Sequence, residues 1–244
     1  MSDTDARAAR LALERMLPGD AWTLPPGFAD AAEQYVALLL EANRRLNLTR
    51  VVEPEAVARL HLLDALAALP LLDRLAPAQA LDLGSGGGVP GIVLALARPA
   101  VAWTLVDSVR KKADALRRFA DALSLRNVEV LAERAEILGR DGAHRERYDL
   151  VTARACAALP ALAEYALPLL AVNGSLLAWK GRLAADELTA GARASAELGG
   201  SAPDVRPTDL EALGDHRFVL VRKERPTPAR FPRRPGEPAR RPLG

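Results

Sequence analysis

One stretch constrains this chain more than any other: Ala80-Leu81-Asp82-Leu83 runs directly into Gly84-Ser85-Gly86-Gly87-Gly88-Val89-Pro90-Gly91. A short apolar run that closes on a glycine-rich turn and opens a helix is a device for cradling a nucleotide-like ligand. The glycines allow positive φ and a close backbone approach. The helix start beyond them favours negative charge, and Pro90 suits a first helical turn, where its missing N–H is harmless. A bare tight turn is the plain alternative, weakened by three consecutive glycines. Two registers compete. Gly84, Gly86 and Gly88 give G-x-G-x-G; Gly86, Gly88 and Gly91 give G-x-G-x-x-G, the dinucleotide fingerprint. The first begins at the strand end and carries an acid, Asp82, just ahead of it, and is preferred.

The segments around this turn alternate. Strands are expected at residues 80–83, 101–106, 128–131, 149–152, 176–179 and 218–221, with helices over 91–97, 111–123, 157–170 and 184–198. Strands separated by helices mean βαβ units and a mostly parallel, doubly wound sheet. Residues 203–205 and 218–221 lack a strong helix between them and predict an antiparallel excursion at one edge. Ahead of the sheet, residues 1–75 read as a helical extension. Phe28, Ala31, Tyr35, Leu38, Leu39, Ala42 and Leu46 recur at helical spacing, and a second helix is expected from near Pro54 to just before Pro70. The organisation predicted is an extension over 1–75, a ligand-binding α/β domain over 76–224 and a tail over 225–244. The tail's many prolines argue against helix or central strand, so it is expected to lie extended or disordered.

Composition narrows the classes. Half of the 244 residues are hydrophobic and 26% are charged, which suits a globular core. Cys156 is the only cysteine, so no intramolecular disulfide and no cysteine zinc site is available. His61, His144 and His216 are far apart, and no metal is expected. The start lacks a basic, apolar leader, and no apolar run approaches a membrane span; a cytoplasmic protein without membrane contact is the expectation. Net charge is +2, but residues 222–244 hold eight Lys/Arg against two Asp/Glu, so +6 sits there and −4 on the remainder. A basic tail on a mildly acidic body suggests a polyanionic partner, or simply a solvated terminus.

Individual side chains carry paired readings. Asp107, at the end of the second strand, suits ribose hydroxyls or a helix cap. Glu136 follows the third strand, beside the first on the edge where ligands bind; it can meet an adenine or be a plain surface residue. Arg154 follows the fourth strand and suits a carboxylate, a phosphate or a surface ion pair. Asn47 and Thr49 end a helix and read as caps. His61 and Asp64, three apart, can pair with each other. Lys180 is a strand-end charge able to steer phosphate. Cys156, with no base nearby in sequence, is expected to be a small buried residue rather than a nucleophile.

Taken in order, these pieces resemble the RsmG (GidB) family, bacterial 16S ribosomal RNA guanine-N7 methyltransferases. Asn47-Leu48-Thr49 is similar to its N-L-T motif. Arg59-x-His61-x-x-Asp64 looks like its R-H-x-x-D-S, with Ala65 in place of the serine. Residues 82–91 look like its D-x-G-x-G-x-G-x-P-G loop, and Asp107-Ser108 with Lys111-Lys112 like its D-S-x-x-K-[KR]. Arg134-Ala135-Glu136, Thr152-Ala153-Arg154-Ala155 and Lys180-Gly181 follow in its order, and Phe231-Pro232-Arg233-Arg234-Pro235-Gly236-x-Pro238 closes the series. The resemblance implies a Rossmann-like class I methyltransferase fold and S-adenosylmethionine as cofactor. It implies cofactor contacts at Gly84, Val89, Ala135, Glu136 and Arg154, to which the loop reading adds Asp82, Gly86, Gly88 and Asp107. The implied partner is 16S ribosomal RNA or a small-subunit assembly particle, with no DNA. Asn47, Thr49, His61, Lys180, Arg230, Arg233, Arg234, Arg240 and Arg241 are the RNA-binding candidates, and Arg154 and Lys180 the positioning ones. Guanine N7 carries no proton at neutral pH, so no general base is required. A small-molecule methyltransferase, an NAD-dependent oxidoreductase using the second register, and a non-catalytic RNA-binding scaffold are the competing readings.

Overall fold

The computed structural model describes residues 2–244. Two helices open the chain, α1 (Ser2–Met16) and α2 (Phe28–Leu46). In α2 the residues Phe28, Ala32, Tyr35, Val36 and Leu39 fall on one buried stripe, and the helix stops at Asn47, which turns left-handed at φ 49°. A helical stretch follows from α3 (Pro54–Val57), capped by the Glu53 carboxylate, through a π-helical turn (Ala58–Leu63) into α4 (Asp64–Leu66). Pro70 then sits in the first turn of α5 (Leu69–Leu75), where its missing N–H leaves nothing unsatisfied.

Seven strands make one sheet in the order β3-β2-β1-β4-β5-β7-β6. Five are parallel: β1 (Gln79–Leu83), β2 (Ala102–Val106), β3 (Val128–Leu131), β4 (Tyr148–Arg154) and β5 (Leu170–Lys180). Antiparallel β7 (Arg217–Arg222) lies between β5 and β6 (Asp204–Pro207), the edge excursion expected from the missing crossover helix. The crossovers are α6 (Gly91–Ala97), α7 (Arg110–Ala122), α8 (Ala135–Leu138), α9 (Leu159–Ala166) and α10 (Ala185–Leu198). The mostly parallel, Rossmann-like sheet expected above is therefore the fold found. β5 starts earlier than its sequence suggests: Asn173, at φ 75°, bends within the strand, and Gly174 lies where a Cβ would come 2.8 Å from the Tyr148 carbonyl. The Asn-Gly pair marks a kink here, not a strand start.

Side chains alternate across the sheet with period two. Ala80, Leu177 and Trp179 face a layer built from α1, α2, α6, α7 and the stretch between α2 and β1; Leu81, Leu176 and Ala178 face α9 and α10. The N-terminal helices thus share one core with β1, α6 and α7.

The tail departs from expectation. Residues 226–244 pack on the second layer, with Thr227 and Phe231 buried, and contain a helix, α11 (Glu237–Arg240), with Pro238 in its first turn. Proline bars helix interiors, not helix starts. The Arg145 guanidinium donates to the carbonyls of Thr227 and Phe231 at 2.8 Å each, so the segment has backbone partners that no local sequence pattern announces. No helix among the described residues is long and apolar enough to cross a membrane.

Candidate active site

β1 sits between β2 and β4, so the chain leaves it in opposite directions on either side. That reversal opens a crevice at the carboxyl ends of the strands. Leu83 pairs with Val106 and Ala153, which brings Gly84 beside the ends of β2 and β4. Two cavities meet at Gly84. One, of about 180 Å³, is lined by Val106, Ser108, residues 133–136, Cys156 and Tyr165. The other, of about 620 Å³, runs from Gly84, Ser85, Gly86, Gly87 and Val89 to His61, Asp64, Lys112, Arg154, Trp179, Lys180 and His216.

The glycines of the turn divide by direction. Gly84 and Gly86 have φ of +67° and +55°, and a Cβ on Gly86 would meet only the Gly84 carbonyl, at 3.7 Å. Gly88 faces the protein: at φ +98°, its Cβ would lie 2.6 Å from Ile92 Cγ1 and 3.2 Å from the Tyr35 hydroxyl. Gly91 is likewise a packing glycine, its Cβ position 2.4 Å from Leu105 Cδ2. Tyr35 braces the turn from α2 by donating to the Gly87 carbonyl at 2.7 Å, a contact no local pattern signals.

Asp82 is fully buried and does not face the crevice. Its Oδ1 accepts from the Thr152 hydroxyl at 2.7 Å and its Oδ2 from the Gly91 N–H at 3.2 Å, tying β1 to β4 and to the start of α6. Burial pushes its carboxyl up to about 6 despite those donors. Asp82, expected as a cofactor contact, is placed as a brace between β1, β4 and α6, and Gly88 packs against Ile92 and Tyr35; neither lines the two cavities.

Asp107 clasps the turn from the other side. Its Oδ2 accepts from Gly86 N–H at 3.0 Å and its Oδ1 from Val109 N–H at 2.8 Å. It is not the N-cap of α7, which is Val109. Asp107→Ala is expected to weaken S-adenosylmethionine, the cofactor the resemblance implies, by about 1–3 kcal/mol and also to lower the melting midpoint, because the carboxylate holds the backbone that lines the crevice. Calorimetric titration and thermal melting of one variant read both, and full affinity with a lowered midpoint would confine Asp107 to the turn.

Glu136, taken as either ligand contact or surface residue, is only 2% exposed. Burial alone would raise its carboxyl, but the Arg134 guanidinium at 2.8 Å and the Gly236 N–H at 2.7 Å outweigh it and hold the pKa low. It therefore presents a charge to the smaller cavity. Cys156 corrects another expectation. The residue is exposed, not buried, although its sulfur is crowded against the turn, 3.1 Å from where a Cβ on Gly84 would stand. That crowding, together with the Asp82 and Asp107 carboxylates, pushes the thiol up to about 11 and keeps it protonated at neutral pH.

At the far side of the larger cavity, Arg154 gathers the N-terminal extension. Its guanidinium donates to the Leu60 carbonyl, to Asp64 Oδ2 at 3.1 Å and to His61 Nδ1 at 3.3 Å. His61 and Asp64 do not pair with each other as their spacing suggested, because a π-helical turn carries His61 and both residues turn to Arg154. Asp64 also accepts from His216 Nδ1 at 2.8 Å, and its backbone carbonyl accepts from Trp179 Nε1 at 2.8 Å. The sequence shows His216 only as one of three scattered histidines; it lies in the loop before β7, where nothing local marks it as a partner of Asp64.

Burial and then Arg154 push His61 down to about 4, so it is neutral. With Arg154 donating to Nδ1, the neighbours assign the proton to Nε2, which donates to the Thr49 hydroxyl at 2.8 Å. The pH dependence follows. Between pH 6.5 and 4 the unfolded chain protonates this histidine and the folded chain does not, so its contribution falls as pH falls. The stability deficit of His61→Gln relative to the parent is expected to shrink by roughly 2 kcal/mol from pH 7 to pH 4.5. Urea melts at both pH values test this; a constant deficit would mean an ordinary histidine.

The remaining candidates fall in different places. Asn47 is the C-cap of α2, and Thr49 is occupied with His61 and the Val51 N–H. Lys180 Nζ donates to the Ala157 carbonyl at 2.9 Å and to Glu187 at 2.8 Å, so it is fixed at the cavity edge. In the tail, Arg233 grips the fully buried Glu164 and Arg230 pairs with Glu197, whereas Arg234, Arg240 and Arg241 are exposed.

The sheet order, the glycine turn at its reversal point and the crevice beside it define a class I methyltransferase fold. Solved structures with this fold include a CurJ carbon methyltransferase, at TM-score 0.55 and 15% identity over 91% of this chain and 68% of that one. The mitomycin 7-O-methyltransferase MmcR matches at TM-score 0.53 and 16% identity, over 82% and 69%. The chain belongs to the GidB family, rRNA small subunit methyltransferase G, whose model matches residues 29–206. Proteins named ribosomal RNA small subunit methyltransferase G are 47% identical in Deinococcus radiodurans, over 85% of this chain and 83% of that one. In Symbiobacterium thermophilum the identity is 41%, over 98% and 100%.

Proposed function

We propose that this methyltransferase moves a methyl group from S-adenosylmethionine to N7 of one guanine in 16S ribosomal RNA of the small subunit. The observation that carries the reading is the crevice at Gly84: a glycine wall and the Glu136 carboxylate, kept charged by Arg134 and the Gly236 N–H, on one side, and the fixed cations Arg154 and Lys180 on the other. The names of the relatives support the substrate class, and a ribosomal substrate is in keeping with a cytoplasmic enzyme.

The residues fit the cofactor. The Gly86 backbone is open to the crevice, where a Cβ has only the Gly84 carbonyl near it. Gly84, Gly86, Val89 and Ala135 would approach the cofactor closely, and the carboxylates of Asp107 and Glu136 would accept from its ribose and adenine donors. Arg154 and Lys180 line the other side with geometry set by Asp64 and Glu187, and so act as positioning residues. When bound, S-adenosylmethionine supplies a methyl group on a sulfonium that is already a good leaving group. The chain's own task is to hold two reactants in line and exclude water, which suits a nucleophile that carries no proton. The high Cys156 pKa is consistent with this, because a protonated thiol does not attack a base. Lys112 on the crevice rim and the exposed Arg234, Arg240 and Arg241 are the side chains suited to phosphates.

The test is incubation of small-subunit RNA and of assembled particles with the enzyme and labelled S-adenosylmethionine. Strand cleavage after borohydride and aniline treatment, at one guanine and only with enzyme and cofactor, is the expected result. Label in a methylated pyrimidine that disappears in Cys156→Ala would overturn it.

A further inference from the structure

The C-terminal segment makes contacts with two buried carboxylates, Glu136 and Glu164, beside the smaller cavity. The Gly236 N–H donates to Glu136 Oε1 at 2.7 Å. Three residues earlier, Arg233 holds Glu164 with its Nε at 2.9 and 3.0 Å from the two carboxylate oxygens and its Nη2 at 2.5 Å from Oε2, and its backbone N–H adds a fourth bond, to Oε1 at 2.7 Å. Glu164 is fully buried on α9, the helix whose next residue, Tyr165, lines the cavity. Pro232 lies over Gly139, at the end of α8, so closely that a Cβ there would come within 2.9 Å of its ring. One short segment thus fastens both walls of the cavity, the 133–136 loop with α8 on one side and α9 on the other.

We propose that residues 231–236 form a strap that builds the adenosine end of the cofactor pocket, with Gly236 and Arg233 as positioning residues for Glu136 and α9. This rests on the cofactor reading given above. Glu136 divides its oxygens: Oε1 accepts from both Arg134 and Gly236, and Oε2 is the acceptor the proposal gives to a ligand donor. Without the strap the carboxylate loses a fixed donor and its orientation. Of the strap's two arginines Arg233 serves the cofactor pocket, and the exposed Arg234 is left for phosphates together with Arg240 and Arg241 beyond it.

Gly236 allows a clean test in the full-length chain. It sits at φ +80°, and a Cβ there would meet nothing closer than 3.9 Å. Gly236→Val therefore creates no collision, but a β-branched residue rejects that φ and withdraws the N–H from Glu136. Calorimetry is expected to show the S-adenosylmethionine Kd rising roughly tenfold, as for loss of one charge-assisted bond. The KM for RNA, and kcat at saturating cofactor, should stay at parental values. In a Glu136→Gln background the same substitution should change Kd little, because the strap acts through that carboxylate. Arg233→Lys keeps the charge opposite Glu164 while giving up the two-point grip, and is expected to shift Kd in the same direction even if Gly236→Val folds poorly. Parental Kd in both variants, or a rise only in the KM for RNA, overturns the strap and makes the tail a phosphate clamp. Failure of the parent chain to bind S-adenosylmethionine would instead overturn the cofactor reading, and the strap's role with it.

Discussion

Gly86→Val and Gly88→Val are expected to fail in opposite ways, although the two glycines are two residues apart in one turn. At Gly86 the new side chain projects into the crevice, where only the Gly84 carbonyl stands near it. The positive φ costs about 1–2 kcal/mol, a few degrees of melting midpoint in a chain of this size. S-adenosylmethionine binding should be lost, because the side chain occupies the space where backbone and ligand would meet. At Gly88 the side chain drives into Ile92 and Tyr35, both fully buried, with a Cβ already 2.6 Å from Ile92. Overpacking and backbone strain together amount to about 3–5 kcal/mol, so the fold goes first and binding goes with it. Circular dichroism melts and calorimetric titration on both variants separate the cases. Full binding by a folded Gly86→Val would place the cofactor elsewhere.

Arg154→Ala is the second large effect. The guanidinium joins the end of β4 to the N-terminal extension through the Leu60 carbonyl, Asp64 and His61. Asp64 is 2% exposed, so removing its cation leaves a buried carboxylate with His216 alone. Breaking such a pair costs about 3–5 kcal/mol, and a melting midpoint lower by roughly 10 °C is expected. Arg154→Lys should recover only part, since one ammonium cannot reach three partners in a planar fork. His61 should also titrate higher in Arg154→Ala, because the neighbouring positive charge is gone; NMR of the imidazole reads this directly. A parental midpoint would show that the extension is held by apolar packing and that the Arg154 network adds nothing.

These two cases mark where sequence reading stops. The glycine turn was legible because an apolar run meeting clustered glycines has few other uses. Which glycines face the ligand was not, because that depends on Tyr35, Leu39 and Ile92 approaching from elements the turn does not know about. Asp82 shows the same limit. Its position ahead of the first glycine drew attention to it, but only the packing of β4 and α6 around it turned the carboxyl inward. Cys156 has apolar neighbours in sequence, which suggest burial, yet it lies two residues past the end of β4 and stands on a loop at the crevice edge. The tail was misread because proline content bounds local conformation and says nothing of distant carboxylates such as Glu136 and Glu164.

What the sequence determined by itself was everything set by short-range physics. Period-two and helical spacing of apolar residues specified the alternating α/β layers, and the absence of a helical pattern before β7 specified the antiparallel edge. The cluster at residues 84–88 specified a glycine turn at the end of β1. The tertiary structure decided everything that depends on two distant segments meeting. It chose a turn-holding role for Asp107, a shared grip on Arg154 for His61 and Asp64, and a docked strap for residues 231–236. The physical reason is that a carboxylate or guanidinium can satisfy its bonds with any partner within about 3 Å. Which partner comes that close is set by how whole layers pack, and no local pattern carries that information.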